Sequence, residues 1–201
     1  MSKITQILKN IYRVYVSKTR MSKRTKRRFM AFGSGSEIEL PYQALTHPEL
    51  VKIGHHTTIL RNVRIQLYPD LMEITPHISI GSHCYLGFNV TILAGADITI
   101  EDHVLFASNV LVSSENHGID PENEIFYMDQ PLRGAPIFIG EGSWIGERVC
   151  ILPGVQIGKK CVIGAGSVVT KSVPDYCIAV GNPARVIKKY DFAKHEWVKV
   201  Q

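Results

Sequence analysis

Aliphatic residues recur at every sixth position through much of the chain. The last and clearest set is Ile139, Ile145, Ile151, Ile157, Ile163 and Val169. Two earlier sets are Ile53, Ile59 and Ile65, and then Ile80, Leu86, Ile92, Ile100, Phe106 and Val112, with a two-residue slip after the third member. A period of six matches neither the 3.6-residue turn of a helix nor the two-residue alternation of a strand. It predicts short strands separated by turns, each with one side chain pointing inward.

Three such strands would close into a triangular coil of about 18 residues, and coils would stack at the ~4.8 Å strand spacing. The sets predict about five coils. A β-sandwich is the alternative, but its strands would be spaced by roughly 8–12 residues. Glycine follows four of the six aliphatics in the last set, and we expect it to supply backbone conformations closed to residues with a Cβ. The slip and the disturbed stretch at 68–76 are predicted to be corner bulges or small loops.

The N-terminal residues follow a different period. Apolar side chains fall on one helical stripe at Ile4, Ile7, Leu8, Ile11, Tyr12, Tyr15 and Val16, which predicts an amphipathic helix. Two roles are open: the helix docks on a neighbouring subunit or caps the first coil, or it lies on an anionic membrane surface. The stretch AFGSGSE at 31–37 predicts a flexible joint. The expected organisation is a basic arm and joint at 1–36, a solenoid domain at 37–190 and a C-terminal tail at 191–201.

Charge separates the arm from the body. The 201 residues carry a net charge of +5, but residues 1–30 hold ten Lys and Arg and no acid. The other 171 residues hold 13 bases and 18 acids, a net charge of −5. We therefore expect residues 1–30 to contact an anionic membrane surface, where each Lys or Arg adds ~1 kcal/mol. Nucleic-acid binding is not expected, because no base-stacking aromatics or binding motif accompany the basic run.

Several classes of protein are disfavoured by the sequence. It contains no run of ~18 apolar residues that would span a membrane. The N-terminus lacks the uninterrupted apolar core and cleavage site of a secretory signal. The four cysteines, Cys84, Cys150, Cys161 and Cys177, show no CxxC spacing. They are expected to be small buried thiols in a reducing cytoplasm rather than disulfides or metal ligands, so we expect a cytoplasmic protein, peripheral at the inner membrane surface.

The hexads and the sequence GAGSVVTKSVPDYCIAVGNPARVIKK at 164–189 resemble the hexapeptide-repeat acyltransferases. The ending is similar to that of galactoside, maltose and nodulation-type O-acetyltransferases and of polysaccharide O-acetyltransferases. The match covers roughly residues 50–190. The resemblance implies an all-β solenoid of the left-handed parallel β-helix type, a homotrimer, and acetyl-CoA as acyl donor, bound in the groove between adjacent subunits.

The repeat stops between Val112 and Ile139, and this interruption predicts a protruding loop at 113–138. A long loop inside a regular solenoid is usually functional. It contains one histidine, His117. In the resembling enzymes a histidine at the start of this loop is the general base that deprotonates the acceptor hydroxyl, and imidazole suits this role because its pKa is near ~6.5. Glu115, Asp120 or a backbone carbonyl could orient the imidazole.

The resemblance also implies a set of binding residues. Trp144 and the backbone of Gly146 would flank the pantetheine arm of CoA, and Ala165 would offer backbone hydrogen bonds. The nucleotide phosphates would meet residues with cationic or hydroxyl side chains, namely Thr170, Lys171, Arg185 and Lys188.

The acceptor is less well defined. Sugar O-acetyltransferases hold it with an asparagine two residues before the position of Asn89, where this chain has Gly87. Asn89 is the nearest amide and Asn116 adjoins His117, so both are expected to bind the acceptor. The usual His-Pro is His-Gly here, as in many polysaccharide-modifying relatives.

These observations predict an acetyl-CoA-dependent O-acetyltransferase acting on a hydroxyl of a sugar or polysaccharide precursor. The alternatives are an N-acetyltransferase acting on an amino sugar or xenobiotic, and a catalytically silent β-helix scaffold. The γ-class carbonic anhydrases share the fold and bind zinc through histidines. His83 and His103 should stack at one corner, but catalytic zinc requires at least three protein ligands, so no metal site is expected.

Overall fold

The computed structural model describes residues 19–200, which wind into a three-sided parallel β-helix. A short helix, α1 (Lys23–Lys26), precedes the first coil. The first coil comprises β1 (Ala31–Phe32), β2 (Glu37–Ile38), β3 (Ala44–Leu45) and the 3-10 turn η1 (Pro48–Leu50). The second comprises β4 (Val51–Ile53), β5 (Thr58–Ile59), β6 (Arg64–Leu67) and η2 (Pro69–Leu71). The third comprises β7 (Ile78–Ile80), β8 (Tyr85–Leu86) and β9 (Thr91–Ala94).

The fourth coil comprises β10 (Ile98–Ile100), β11 (Leu105–Phe106) and β12 (Leu111–Ser113). A loop follows, with β13 (Glu115–Asn116), the 3-10 turn η3 (Tyr127–Asp129) and β14 (Arg133–Gly134). The fifth coil comprises β15 (Ile137–Ile139), β16 (Trp144–Ile145) and β17 (Cys150–Ile151), and the sixth comprises β18 (Gln156–Ile157), β19 (Val162–Ile163) and β20 (Val168–Val169). The chain ends in β21 (Cys177–Gly181), β22 (Ala184–Asp191) and β23 (Glu196–Lys199).

The three sides of the helix are three sheets. Face 1 stacks the first strand of each coil, face 2 the second and face 3 the third. The aliphatics at six-residue spacing are aligned between coils: Ile100 pairs with Ile80 and Ile139, and all three are at most 1% exposed. Burial of each such side chain contributes about 1.5–3 kcal/mol. The predicted inward column is therefore confirmed.

The helix has six coils in the described residues, not the predicted five. The first coil escaped the periodicity because its inward residues, Phe32, Ile38 and Leu45, are separated by six and then seven residues. The prediction of a flexible joint at 31–37 is also wrong, because these residues belong to the first coil. Ala31 pairs with Lys52 in face 1, and residues 33–36 form a corner. Corners and linkers both use small residues, so composition does not distinguish them.

The glycines after the aliphatics have a different role from the predicted one. Gly146 is not among the residues with positive φ. A Cβ at Gly146 would lie 2.7 Å from the Ala165 nitrogen of the next coil, so glycine is required by the close approach of two coils. Positive φ occurs two residues later, at residues such as Asn89 (58°) and His103 (59°).

Each corner therefore has its own residue type. The histidine corner, between faces 1 and 2, stacks His56, His83 and His103 with ring centroids 5.2 and 5.0 Å apart. This confirms the expected stacking of His83 and His103 and adds His56. The asparagine corner, between faces 2 and 3, contains Asn62, Asn89 and Asn109. The loop corner, between faces 3 and 1, contains residues 68–76, 95–97 and the loop 114–136.

Both ends of the solenoid are covered. Met21 and Phe29, 5% and 6% exposed, pack onto the first coil on either side of α1. The predicted amphipathic stripe at 4–16 lies outside the described residues. At the other end, β22 pairs antiparallel with β21 and β23. The predicted tail at 191–201 therefore includes a strand, whose Trp197 contacts Tyr190 at 5.3 Å between ring centroids.

The cysteines are free thiols, and three of the four are buried. Burial raises the pKa of Cys84 and of Cys161 above the ordinary thiol value, which keeps both protonated at neutral pH. Within residues 19–200, no helix has the length and apolar character needed to cross a bilayer.

Candidate active site

The loop 114–136 leaves the helix after β12 and is closed at its base by the β13–β14 pair. Inside the loop, Gln130 is 5% exposed and acts as a clamp. Its Nε2 donates to the Asp120 carbonyl at 2.9 Å, and its Oε1 accepts from the Asp120 N–H at 3.0 Å. A Cβ at Gly118 would lie 2.7 Å from the Gln130 Cβ, which explains glycine after His117. No sequence pattern predicts this role of Gln130.

His117 lies at the mouth of a cavity of about 310 Å³. The loop contributes Met128, and the preceding excursion at the same corner contributes Tyr68 and Leu71. The polar lining includes Glu115, and no Lys or Arg from residues 19–200 takes part. The disturbed stretch at 68–76, predicted only as a bulge or small loop, therefore forms one wall of the cavity.

The His117 imidazole is exposed and forms no hydrogen bond with any residue of 19–200. Of its two predicted carboxylate partners, Asp120 accepts the Glu122 N–H at 3.0 Å within the loop. Glu115 lines the same cavity as His117. The structure thus places an imidazole with both nitrogens free beside a cavity, an arrangement that can accept a proton from a bound hydroxyl.

The asparagine corner carries a ladder of hydrogen bonds between coils. Asn89 Nδ2 donates to Asn109 Oδ1 at 3.0 Å, and the Glu147 carboxylate accepts the Ser108 N–H at 2.9 Å. In the third coil, the Phe88 N–H likewise donates to the Ser108 hydroxyl at 3.1 Å. The Phe88 and Ser108 N–H groups in this column are thus each satisfied by a side-chain oxygen of the next coil.

The ladder ends at the fifth coil. The residue beyond Glu147 in this column is Ala165, which has no side-chain oxygen. Among the hydrogen bonds of residues 19–200, neither the Glu147 N–H nor the Ala165 N–H donates to an acceptor. Ala165 is exposed, and a Cβ at Gly166 beside it would meet nothing within 4 Å. Two backbone donors without an acceptor in residues 19–200 therefore lie where pantetheine contacts were predicted.

The other predicted binding residues surround these donors only in part. Trp144, 51% exposed, continues an outward apolar row on face 2 with Tyr85 and Leu105. Arg185 lies on β22 near the asparagine corner, and its Nη1 donates to the Ala184 carbonyl at 2.9 Å. Lys188, further along β22, is half-buried.

Thr170 and Lys171 are exposed at the loop corner, two coils beyond His117. The predicted residues therefore fall on both edges of face 3. The loop corner holds Asn116, His117, Thr170 and Lys171, and the asparagine corner and face 2 hold Asn89, Trp144, Gly146, Ala165, Arg185 and Lys188. Within one chain, the structure does not bring Asn89 to His117.

The histidine corner offers no metal centre. The His83 and His103 rings are 5° from parallel, so their nitrogens lie in separate planes and do not converge. No group of three His, Cys, Asp or Glu in the described part of the chain could hold a metal ion.

Comparison with known proteins identifies the repeat. The family model described as hexapeptide repeat of succinyl-transferase matches residues 77–114, and that of the bacterial transferase hexapeptide (six repeats) matches residues 136–171. The gap between the two matches is the loop. A galactoside acetyltransferase solved in complex with coenzyme A is 38% identical, with a TM-score of 0.57, and the match covers 70% of this chain and 67% of that one. The chain belongs to the hexapeptide-repeat transferase family.

This hexapeptide-repeat transferase is also 43% identical to the galactoside O-acetyltransferase of Escherichia coli over 132 residues, 65% of this chain and 64% of the relative. The match thus spans just under two-thirds of that curated relative. AntD, an N-acyltransferase from Bacillus cereus solved with dTDP and coenzyme A, has a TM-score of 0.70 over 88% of this chain and 93% of its own. At 22% identity, AntD shows the fold alone. The fold is the left-handed parallel β-helix implied by the resemblance to the hexapeptide-repeat acyltransferases.

Proposed function

We propose that this hexapeptide-repeat transferase is an acetyl-CoA-dependent O-acetyltransferase acting on a hydroxyl of a sugar or polysaccharide precursor. The observation that carries the proposal is the long interruption of the solenoid at residues 114–136. It presents His117, free of hydrogen bonds within residues 19–200, at a cavity of about 310 Å³. The galactoside acetyltransferases at 38–43% identity support both the donor and the class of acceptor.

In the proposed reaction, His117 accepts the proton of the acceptor hydroxyl as that oxygen attacks the thioester carbonyl. A backbone N–H holds the oxyanion of the tetrahedral intermediate. The C–S bond then breaks, the acetyl group stays on the acceptor oxygen, and His117 returns its proton to the departing thiolate. Such a general base contributes about 10²–10⁴ in rate.

The residues of the asparagine corner fit the acyl donor. CoA has amide carbonyls in its pantetheine arm and phosphates on its nucleotide. The Ala165 and Glu147 N–H groups have no acceptor within residues 19–200, and Ala165 is exposed. Trp144 and the backbone of Gly146 would flank the arm, and Arg185 and Lys188 lie on the adjoining strand β22. Thr170 and Lys171 would supply the remaining phosphate contacts from the loop corner.

The two edges of face 3 would belong to one site only if two copies of the chain meet. A strand with its corners spans about five residues at ~3.3 Å each, so the edges are about 15 Å apart. We propose a homotrimer in which the loop corner of one protomer lies against the asparagine corner of the next. Asn89 of one chain and Asn116 of the other would then border the acceptor. The reduced, buried thiols support a cytoplasmic location.

Acetyl-CoA turnover with a panel of sugars tests the proposal, with released CoA thiol as the readout. The expected result is thiol release that depends on a hydroxyl-bearing sugar and yields an O-acetyl product. Acetylation of amino sugars alone would overturn O-transfer in favour of N-transfer. Failure to bind CoA in a calorimetric titration would favour a silent scaffold.

A further inference from the structure

The N-terminal pole of the solenoid, residues 20–30, is strongly basic. It contains six Lys and Arg and no acid. Residues 51–158, which form the middle coils and the loop, contain five bases and twelve acids. Residues 159–200, at the opposite end, contain eight bases and three acids. The rod is therefore acidic in its middle and basic at both ends, and only the N-terminal pole lacks acids altogether.

The packing of the pole turns its cations outward. Met21 and Phe29 are buried against the first coil and fix the two ends of the segment. Between them Ser22 caps α1, its hydroxyl accepting the Thr25 N–H at 3.1 Å, and α1 has no buried residue. The helix thus lies at the open end of the solenoid, where Lys23 and Arg24 are exposed and Lys26 is half-buried.

Only part of this charge is neutralised by the protein. Lys26 Nζ donates to Glu37 Oε2 and to the Ser36 carbonyl, both at 2.9 Å, and Arg20 lies 3.8 Å from the same carboxylate. The pKa of Glu49 is lowered first by a backbone hydrogen bond and then by His47, and Arg28 has the smallest effect on it. Lys23, Arg24 and Arg27 are exposed and form no ion pair with any residue of 19–200.

We propose that this pole docks end-on to the anionic headgroups of a lipid bilayer. Three unpaired cations on one blunt end match a plane of negative charge, and the acidic coils are held away from it. Met30, 52% exposed beside them, supplies an apolar side chain at the same end. Phe29 and Phe32 are engaged with each other at 5.1 Å between centroids, so the pole offers no aromatic platform for stacking nucleic-acid bases.

This orientation has a geometric consequence for the proposed reaction. His117 follows the fourth coil, three coils from the pole, which is about 15 Å at the ~4.8 Å strand spacing. The loop corner lies on the side of the rod, so end-on docking leaves it open. An acceptor hydroxyl attached to the same membrane would be reached about 15 Å above the headgroups.

Vesicle co-sedimentation of the full chain tests the proposal without any acetyl-CoA. The probes are vesicles of phosphatidylcholine alone and vesicles that also contain about 30 mol% of the anionic lipid phosphatidylglycerol. The test variant is Lys23→Gln/Arg24→Gln/Arg27→Gln. The control, Lys189→Gln/Lys194→Gln/Lys199→Gln, removes the same net charge from exposed positions at the opposite end.

The proposal expects wild-type protein to bind the anionic vesicles and not the neutral ones, with binding weakened by salt. The test variant should lose roughly 100-fold in partitioning, at ~1 kcal/mol per cation, and the control less than threefold. Unchanged thermal unfolding would exclude misfolding, because all six side chains are exposed. Equal losses in both variants, full binding by the test variant, or tighter binding of the same pole to an RNA than to vesicles would each overturn the proposal.

Discussion

The loop corner and the asparagine corner border the same face of the solenoid but are built in opposite ways. At the asparagine corner, the same short turn repeats coil after coil, and side-chain oxygens satisfy the backbone from one coil to the next. At the loop corner, the turns differ in length, and the fourth is replaced by the loop 114–136. The regular corner supplies fixed backbone donors, whereas the irregular one supplies an imidazole and a cavity.

The difference suggests how a repeat protein acquires a site. Regular coils place donors at fixed spacing, and a donor becomes available to a ligand where the ladder ends, as at Ala165. An insertion costs little in such a scaffold, because each coil contacts only its neighbours. Chemistry can therefore be added at one corner without disturbing the packing that holds the other.

The largest expected effect comes from removing the imidazole at the loop corner. His117→Ala should lower kcat about 10²–10⁴-fold, because the acceptor hydroxyl loses its base. Stability should change little, since the side chain is exposed. Steady-state kinetics with acetyl-CoA and a sugar that serves as acceptor measures the effect. His103→Ala, an exposed histidine at another corner, is the matched control and should keep full activity. Full activity in His117→Ala would contradict the mechanism.

At the asparagine corner, two glycines distinguish the effect of close contact between coils from the effect of a positive φ. Gly146→Ala should cost about 1–3 kcal/mol of unfolding free energy, because the new Cβ meets the next coil at 2.7 Å. Gly166→Ala should cost only about 1 kcal/mol, since its φ is +70° but the space is open. Urea unfolding of both variants measures the difference. Equal costs would show that close approach does not explain Gly146.

The cations on the two edges of face 3 should affect the binding of acetyl-CoA and not the rate of the chemical step. Lys171→Gln and Arg185→Gln should each raise the KM for acetyl-CoA about tenfold and leave kcat nearly unchanged, because each loses a charged contact to phosphate. Lys194→Gln, an exposed cation near Asp191, is the control and should leave KM unchanged. An effect of either test variant on kcat alone would argue against phosphate binding.

The smallest expected effect concerns the amide ladder. Asn109→Ala removes the hydrogen bonds to Asn89 and Glu147 and should cost about 0.5–1.5 kcal/mol more than Asn62→Ala, which changes the same left-handed backbone position outside this ladder. Chemical denaturation of the two variants gives the difference. If Asn62→Ala cost as much, the ladder would contribute nothing to stability.

The hexads were sufficient to predict the coils because one inward aliphatic per six residues has no other common explanation. The first coil was missed because a single extra residue before Leu45 breaks the spacing. The glycine role was misassigned because a sequence does not show how closely two coils approach. Gly146 is required because the next coil lies close to it, whereas the positive φ is adopted by other residues such as His103.

The site was predictable only where a motif or an interruption marks it. His117 is the one histidine in the loop, and the resemblance to the hexapeptide-repeat acyltransferases implies its role as base. The Gln130 clamp and the Tyr68 wall depend on contacts between distant segments that no local pattern records. The Glu147 and Ala165 N–H groups lack an acceptor in the described part of the chain because the next coil offers no side-chain oxygen. That absence has meaning only once the stacking is known.

Subunit complementation tests the central claim most directly, namely that the two corners of different protomers form one site. One variant is His117→Ala, and the other is Ala165→Trp, whose bulky side chain at an exposed turn blocks the groove. Each alone should be inactive. In trimers assembled from equal amounts of both, a quarter of the interfaces would pair an intact loop corner with an intact asparagine corner, so activity should return to about a quarter of the wild-type value. No recovery in mixed trimers of confirmed composition would show that each site lies within a single chain.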